Sequence, residues 1–287
     1  MIETILITGS GGFIGRNLKE HLSNKYNLLC PRSFELDLTD TSAVQNYFKI
    51  HSIDFVIHCA VKGGARGVVD DKSVIDINLA MFNNLKKFVD CEKRMITFGS
   101  GAQYDKSLPL TKIKEKDLGK SIPNDPYGYS KYLIAKEIQK TDNITCLNIF
   151  GCYGKYEKES RFPTYAIVQN LNCEPVVINK NVVFDYLYID DLCSIVEHFV
   201  ENKPKEKIMN LTPTKSIGIF EIAQIVNSIS DFQSPILFKE EGLNNEYTGD
   251  NALLLKEIRG FKFTSYEKGL KELFDVLTTS AKTEVYQ

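Results

Sequence analysis

Tyr127 and Lys131 stand four residues apart in Tyr127-Gly128-Tyr129-Ser130-Lys131, which follows Pro123-Asn124-Asp125-Pro126 and opens a helical stretch, Tyr132–Gln139. On a helix, residues four apart share a face, so a phenol would lie beside an ammonium. A phenol titrates near pH ~10 in water, and a neighbouring cation favours its phenolate, making Tyr127 a usable proton donor or acceptor near neutrality. By itself the pair is common, as an aromatic at a helix start with an exposed lysine. Ser100 gives it a context. It follows the apolar run Arg94–Phe98, in Gly99-Ser100-Gly101-Ala102-Gln103-Tyr104. That places a hydroxyl just beyond the carboxyl end of a strand, where ligands bind in open parallel sheets.

A second group of residues can hold a phosphate. Ile5-Leu6-Ile7 reads as a buried strand, Arg16–Leu22 has helical spacing, and Thr8-Gly9-Ser10-Gly11-Gly12-Phe13-Ile14-Gly15 joins them. Gly9 permits the tight turn, Gly12 lets a pyrophosphate approach the chain, and Gly15 lets helix and strand pack closely. The helix amino terminus, with Phe13 and Ile14, then faces the phosphate charge. Between a strand and a helix, this is a dinucleotide-binding turn.

NAD-binding folds usually carry an acid at the end of the second strand. Here that strand ends in Cys30-Pro31-Arg32-Ser33, and a cation beside a hydroxyl suits a 2′-phosphate. Glu35 and Asp37 have roughly the acid's spacing but fall after the strand, in Glu35-Leu36-Asp37-Leu38-Thr39-Asp40. NADP(H) is expected over NAD(H), with Arg32, Ser33, Asp37 and Leu38 at the cofactor's edge; the alternative for Arg32 is a solvated loop cation.

These groups need a frame. Strand-like runs recur at Tyr26–Cys30, Asp54–His58, Arg94–Phe98 and Ile144–Ile149, separated by helical spacing at Ser42–His51 and Ile75–Asp90. The alternation predicts an α/β chain, a Rossmann-like doubly wound parallel sheet with a smaller α/β carboxyl-terminal substrate domain. Residues 1–154 plus 182–205 are expected to form the cofactor domain, and 155–181 plus 206–287 the substrate domain. Val182–Ile189 reads as another strand, and Phe162–Leu171, Asp190–Phe199, Gly218–Ile229 and Tyr266–Leu277 as helices.

With 287 residues, 43% of them apolar and 25% charged, the chain can bury a full core. A net charge of −2 argues against nucleic acid or an anionic membrane as a partner. Seven scattered cysteines (Cys30, Cys59, Cys91, Cys146, Cys152, Cys173 and Cys193) read as reduced thiols with no metal-ligand spacing. The run Met1-Ile2-Glu3-Thr4 leads straight into a strand, so a cytoplasmic protein with neither a secretory leader nor a membrane span is expected.

With the glycine turn, Ser100 and the Tyr127/Lys131 pair in this order, the chain resembles the extended short-chain dehydrogenase/reductases, the nucleotide-sugar-modifying branch. His58-Cys59-Ala60-Val61 looks like that family's His-x-Ala-Ala strand end beside the cofactor, and Leu147-Asn148-Ile149-Phe150-Gly151 like its Asn-Val-Tyr-Gly. Asn78, Asn83-Asn84 and Tyr186-Leu187-Tyr188-Ile189-Asp190-Asp191 also match. The resemblance implies catalysis by Ser100, Tyr127 and Lys131. It adds Cys59, Ala60, Val61 and Asn78, with Tyr127 and Lys131, to the cofactor site, and Lys62, Gly101, Ala102, Asn148 and Arg161 to the substrate site.

Glu35-Leu36-Asp37-Leu38-Thr39-Asp40, Ser52-Ile53-Asp54 and Val61-Lys62-Gly63-Gly64 look most like GDP-fucose synthases, which epimerise and reduce a GDP-4-keto-6-deoxy sugar with NADPH. Their epimerising cysteine is Ala102 here, and Lys155–Pro163, where their epimerising histidine falls, contains no histidine. The Asp-Glu pair of sugar dehydratases is replaced by Gly101-Ala102. The resemblance therefore implies an NADPH-dependent C4-keto reductase of a nucleotide-linked, most closely GDP-linked, 4-keto-6-deoxy sugar, reducing without epimerising, for surface polysaccharide synthesis. Alternatives are an NAD-dependent nucleotide-sugar 4-epimerase or 4-dehydrogenase, and a non-catalytic dinucleotide sensor.

The family's substrate-diphosphate arginine is Phe184 or Asp185 here, which leaves Arg161, Lys155 and Lys180 as candidates, or as members of a solvated loop. The resemblance also implies a homodimer through Ile75–Asp90 and Tyr132–Ile138.

Overall fold

The computed structural model describes residues 2–65, 67–89 and 92–284. The chain runs β1 (Thr4–Thr8), α1 (Phe13–Leu22), β2 (Asn27–Leu29), α2 (Thr41–Ile50), β3 (Phe55–His58), α3 (Ser73–Lys86) and β4 (Arg94–Ser100). It continues through β5 (Leu110–Ile113), α4 (Pro126–Ile138), β6 (Ile144–Ile149), β7 (Gly151–Tyr153), α5 (Phe162–Leu171), β8 (Val176–Ile178), β9 (Val183–Phe184), β10 (Tyr186–Tyr188) and α6 (Ile189–Glu201). Then come β11 (Ile208–Leu211), β12 (Ile217–Gly218), α7 (Ile219–Ile229), β13 (Ile236–Phe238), β14 (Tyr247–Gly249), α8 (Ala252–Glu257) and α9 (Tyr266–Glu284).

Six parallel strands form the central sheet in the order β11-β6-β4-β3-β1-β2. The expected Rossmann-like sheet is present because its strands are apolar on both sides. Along β1, Ile5 and Ile7 enter the cluster under α1 and α6, whereas Leu6 enters the cluster under α2, α3 and α4. Alternating side chains therefore each find cover, and a continuous apolar run is what a doubly covered strand requires. The order reverses beside β1, whose neighbours are β2 and β3, and this switch point opens a crevice at the strands' carboxyl ends.

Local chemistry sets the helix starts. Asp40 caps α2, accepting from the amides of Ser42 (2.7 Å) and Ala43 (3.2 Å). Asp125 caps α4 through the Gly128 amide at 2.9 Å, and Pro126 occupies the first helical position. This pair starts the helix before the expected Tyr132, so Tyr127 and Lys131 both lie within it.

Two expectations about domain organisation change. Ile208–Leu211, assigned to the substrate domain, pairs in parallel with β6 and is the sixth strand of the cofactor sheet. Val182–Ile189 is not one strand of that sheet: it divides at Asp185 into β9, paired with β12 and β14, and β10, paired with β7. Helices α5, α7 and α9 pack together, and one apolar cluster runs unbroken from Ile5 through Phe162 and Val226 to Leu273. Among the described residues no helix is long and apolar enough to cross a membrane, and the six described cysteines are free thiols. Cys91, and the expected helix end at Asp90, lie outside the described residues.

Candidate active site

The glycine turn fits a dinucleotide on steric grounds. Gly9 adopts φ +67°, and a Cβ there would meet the Ala60 amide nitrogen at 2.6 Å. A Cβ on Gly15 would fall inside the van der Waals shell of the Gly9 carbonyl oxygen. At Gly12, which begins α1, a Cβ would touch only that same oxygen, at 3.4 Å, so the face a pyrophosphate would approach is open. The free amides of Phe13 and Ile14 begin a helix whose first turn, Phe13-Ile14-Gly15-Arg16, carries no carboxylate to compete for them. The Arg32 guanidinium folds over the same turn, its Nη1 2.7 Å from where a Gly11 Cβ would stand.

Glu35 does not replace the missing acid: its Oε2 accepts from the Arg32 amide at 2.6 Å. Asp37 closes a turn by accepting from the Thr39 amide (2.8 Å) and hydroxyl (2.7 Å), and these bonds hold its carboxyl below the usual range. Ser33 is exposed, whereas Leu38 is buried, its carbonyl accepting from Asn84 at 3.0 Å.

Across the crevice, His58 shares a 2.8 Å hydrogen bond with the Thr8 hydroxyl. Burial, and then the charge of Lys131, push its imidazole down to about 3, so it is neutral. Cys59 and Ala60 follow at the strand end, the Ala60 amide donating to Thr8 (3.4 Å), and Val61 is exposed. Burial keeps the Cys59 thiol protonated. Asn78, expected among cofactor contacts, is spent otherwise: it brackets the Lys62 backbone from both sides (2.9 and 3.0 Å) and donates to Ser130 at 3.0 Å. It fixes the Lys62 loop to α4.

Ser100 ends β4, its Oγ accepting from the Ala102 amide at 3.2 Å. The phenol of Tyr127 is pushed up by burial and drawn back by a hydrogen bond with Ser100 and by the charge of Arg161. It is therefore protonated at neutral pH in the free protein. The expectation that Lys131 lowers it needs correction. The Lys131 ammonium lies 5.8 Å from the Tyr127 ring centroid and donates to the Phe98 carbonyl at 2.7 Å. Burial pushes Lys131 itself down to about 8. Gly64, at φ +75°, backs the Tyr127 ring so closely that a Cβ there would come within 3.0 Å of its carbons.

Three expected substrate contacts are sealed off. Gly101 lies under Phe150 and Tyr247, either of which a Cβ would meet at 2.6 Å, and Ala102 is buried. Asn148 is fully buried, donating to Tyr104 and to Asn210, each at 3.1 Å. Arg161 does reach the site, its charge acting on both Tyr127 and Tyr247. Lys155 instead pairs with Glu20 at 2.9 Å, and Lys180 follows β8 beside Gly242. Lys62 is exposed beside the site. Sequence reasoning missed Tyr247. It has no motif around it, and only the pairing of β14 with β5 and β9 carries it to Gly101, the residue after Ser100.

Residues 5–212 match the NAD dependent epimerase/dehydratase family. The chain belongs to that family. It is therefore an enzyme of a class built around a nicotinamide dinucleotide, consistent with the glycine turn. The chain is 24% identical to the GDP-L-colitose synthase of Yersinia pseudotuberculosis, over 87% of this chain and 90% of that one. Its fold is similar to that of a GDP-L-fucose synthetase from Naegleria fowleri, with a TM-score of 0.82, 20% identity and coverage of 98% and 94%. It is also similar to a GDP-mannoheptose C4 reductase from Campylobacter jejuni with NADP bound, with a TM-score of 0.79, 19% identity and coverage of 96% and 98%.

Proposed function

We propose that this family member is an NADPH-dependent C4-keto reductase of a GDP-linked 4-keto-6-deoxy sugar, and that it does not epimerise its substrate. The observation that carries the reading is the Tyr127 phenol, kept protonated by burial on α4 beside the Ser100 end of β4. Such a phenol is poised to give a proton to a developing alkoxide, which is the reducing direction. Ala102, a buried methyl group two residues past Ser100, offers no acid or base for inverting a neighbouring carbon. The names of the relatives, two GDP-sugar synthases and a GDP-sugar C4 reductase, agree with this class of substrate.

Gly9, Gly12 and the amides of Phe13 and Ile14 would hold the pyrophosphate, and Arg32 the 2′-phosphate. When bound, NADPH supplies the hydride that reduces the ketone carbon. Ser100 donates a hydrogen bond to the ketone oxygen and orients it, and Tyr127 transfers its proton to that oxygen, completing the alcohol. Tyr127 then regains a proton from solvent. Lys131, anchored on the Phe98 carbonyl beneath the site, would hold the nicotinamide ribose. Arg161 meets the substrate diphosphate. The same reading puts the enzyme in the cytoplasm as a homodimer through α3 and α4, supplying sugars for surface polysaccharide.

The test is a panel of GDP-, CDP- and dTDP-linked 4-keto-6-deoxy sugars, assayed for NADPH consumption with product configuration read by NMR. A single C4 alcohol with unchanged C3 and C5 is expected, best with the GDP sugar. Tightly bound NAD released on denaturation, with interconversion of C4 epimers and no net NADPH use, would replace this reading with a 4-epimerase.

A further inference from the structure

Gly63 and Gly64 take consecutive left-handed conformations, φ +81° and +75°, which residues with side chains rarely adopt. This turn is tied on both sides. Before it, Asn78 brackets the Lys62 backbone at 2.9 and 3.0 Å. After it, the Asp70 carboxylate reaches back from just ahead of α3 and accepts from the Gly64 amide, through Oδ2, at 2.9 Å. Gly63 makes room for that carboxylate: a Cβ there would meet Asp70 Oδ1 at 2.7 Å and Val74 Cγ1 at 3.0 Å. Gly64 therefore stands where Asp70 holds it.

What Gly64 touches is the reacting edge of Tyr127. Its Cβ position lies 2.8 Å from Cε2 and 2.9 Å from Cζ, the carbon that bears the phenol oxygen. The Tyr127 backbone is fixed separately, its carbonyl accepting from Ser130 at 2.7 Å while Asn78 donates to the same hydroxyl at 3.0 Å. Two side-chain torsions still separate that backbone from the phenol, and the second is a broad one in tyrosine. A wall against the ring is what narrows it. The Gly64 carbonyl also accepts from Arg161, at 3.5 Å, but on the reductase reading that guanidinium goes to the substrate diphosphate. Asp70 is the hold that survives.

We propose that Asp70 is a positioning residue for the proton donor: by holding Gly64 against the Tyr127 ring it fixes where the phenol oxygen stands, acting through the glycine and not on the substrate. The inference rests on the reading of Tyr127 as the proton donor of a reduction. Position and charge can be separated, because several groups act on that phenol. Burial raises it most, Ser100 and Arg161 draw it back, and the charges of Asp125 and Asp70 raise it further, with the Lys131 ammonium 5.8 Å from the ring centroid. Asp70→Asn removes the charge and keeps an oxygen that can accept from Gly64. Asp70→Ala removes both.

The experiment compares these two variants with the wild type, using NADPH and the preferred GDP-4-keto sugar, with NADPH affinity and melting temperature as controls for folding. Asp70→Ala is expected to lower kcat by about 10–100-fold, the scale of a misplaced reacting group, with KM within about threefold. Asp70→Asn should restore most of that loss. The alkaline limb of kcat should move to lower pH in both, since each has lost a negative charge beside the phenol, and further in Asp70→Ala, where a loosened wall admits water to the ring. Gly64→Ala displaces the ring with Asp70 intact and should lower kcat likewise, and adding Asp70→Ala to it should cost little more.

An unchanged kcat in Asp70→Ala, an equal loss in Asp70→Asn, or losses that multiply with Gly64→Ala overturn the proposal. If the wild type reduces no keto sugar, the reductase reading falls. Alkaline spectrophotometric titration of Tyr127, taken as the difference from Tyr127→Phe, then decides the positioning role: a larger downward shift in Asp70→Ala than in Asp70→Asn supports it, and equal shifts or none overturn it.

Discussion

Lys131 gives its ammonium to the carbonyl of Phe98, 2.7 Å away, and not to the phenol of Tyr127 four residues before it. The cation is thereby locked under the sheet's end in a place where its charge is costly. Burial pushes it from the usual lysine range down to about 8. An unfolded chain binds that proton more tightly than the folded one between pH ~8 and pH ~10.5. Stability should therefore rise with pH through that interval, and at neutral pH Lys131 should be a burden on the fold. Lys131→Met is expected to raise the melting temperature, by up to about 3 kcal/mol in stability, while abolishing reduction. Calorimetry at pH 7 alongside the NADPH assay checks both halves; a melting temperature that falls would contradict this account.

Tyr127→Phe removes the proton donor and leaves the ring against Gly64. It should cost on the order of 10²–10⁴ in kcat with little change in NADPH affinity. In the wild type, reduction requires the protonated phenol. Because burial raises that pKa, activity should hold through neutral pH and fall only as pH climbs through an alkaline limb, which Tyr127→Phe should lack.

Arg32 tests the choice of cofactor. A charge-assisted hydrogen bond contributes about 1.5–3 kcal/mol, so Arg32→Ala should raise KM for NADPH by about 10–100-fold and leave KM for NADH nearly unchanged. An equal effect on both cofactors would mean that Arg32 meets something other than the 2′-phosphate.

Two glycines of one turn should behave differently. A Gly12 Cβ has only the Gly9 oxygen near it, at 3.4 Å, whereas a Gly15 Cβ collides with that carbonyl. Gly12→Ala should therefore fold with a near-normal melting temperature yet bind NADPH poorly, because the added methyl occupies the pyrophosphate face. Gly15→Ala should lose both, since helix α1 cannot seat against β1. Fluorescence titration of NADPH and thermal melts of the two variants provide the comparison.

Asn148 carries the opposite signature. Its amide serves the phenol of Tyr104 and the amide of Asn210 inside the sheet's end. Asn148→Leu should lower stability by about 1–3 kcal/mol through the polar groups it orphans, while KM for the sugar stays close to that of the wild type.

The sheet was legible in the sequence because buried parallel strands are apolar on both faces, and the glycine turn because each glycine answers a local steric demand. Ser100, Tyr127 and Lys131 were legible as neighbours, since two lie on one helix and one at a strand end. The partners of those groups were not. The Phe98 carbonyl that takes Lys131 has no side-chain signature, and Tyr247 meets Gly101 only after β14 pairs with β5. Asn148, read as a substrate contact from its motif, is turned inward by a matching asparagine directly across β11. Ile208–Leu211 is too short a run to announce itself as a sheet strand until β6 is seen to need a neighbour.

That late strand also shapes how the molecule is made. On a ribosome, the first five strands of the sheet emerge well before β11, and until it docks β6 is a bare edge open to pairing with any other chain. Its register partner Asn210 is the group that takes the Asn148 amide, so the same docking event closes the edge and satisfies the buried polar cluster beside it. A nascent chain stopped between β6 and β11 should thus be prone to self-association, and release of Leu211 should mark the point at which the cofactor crevice becomes able to capture its nucleotide.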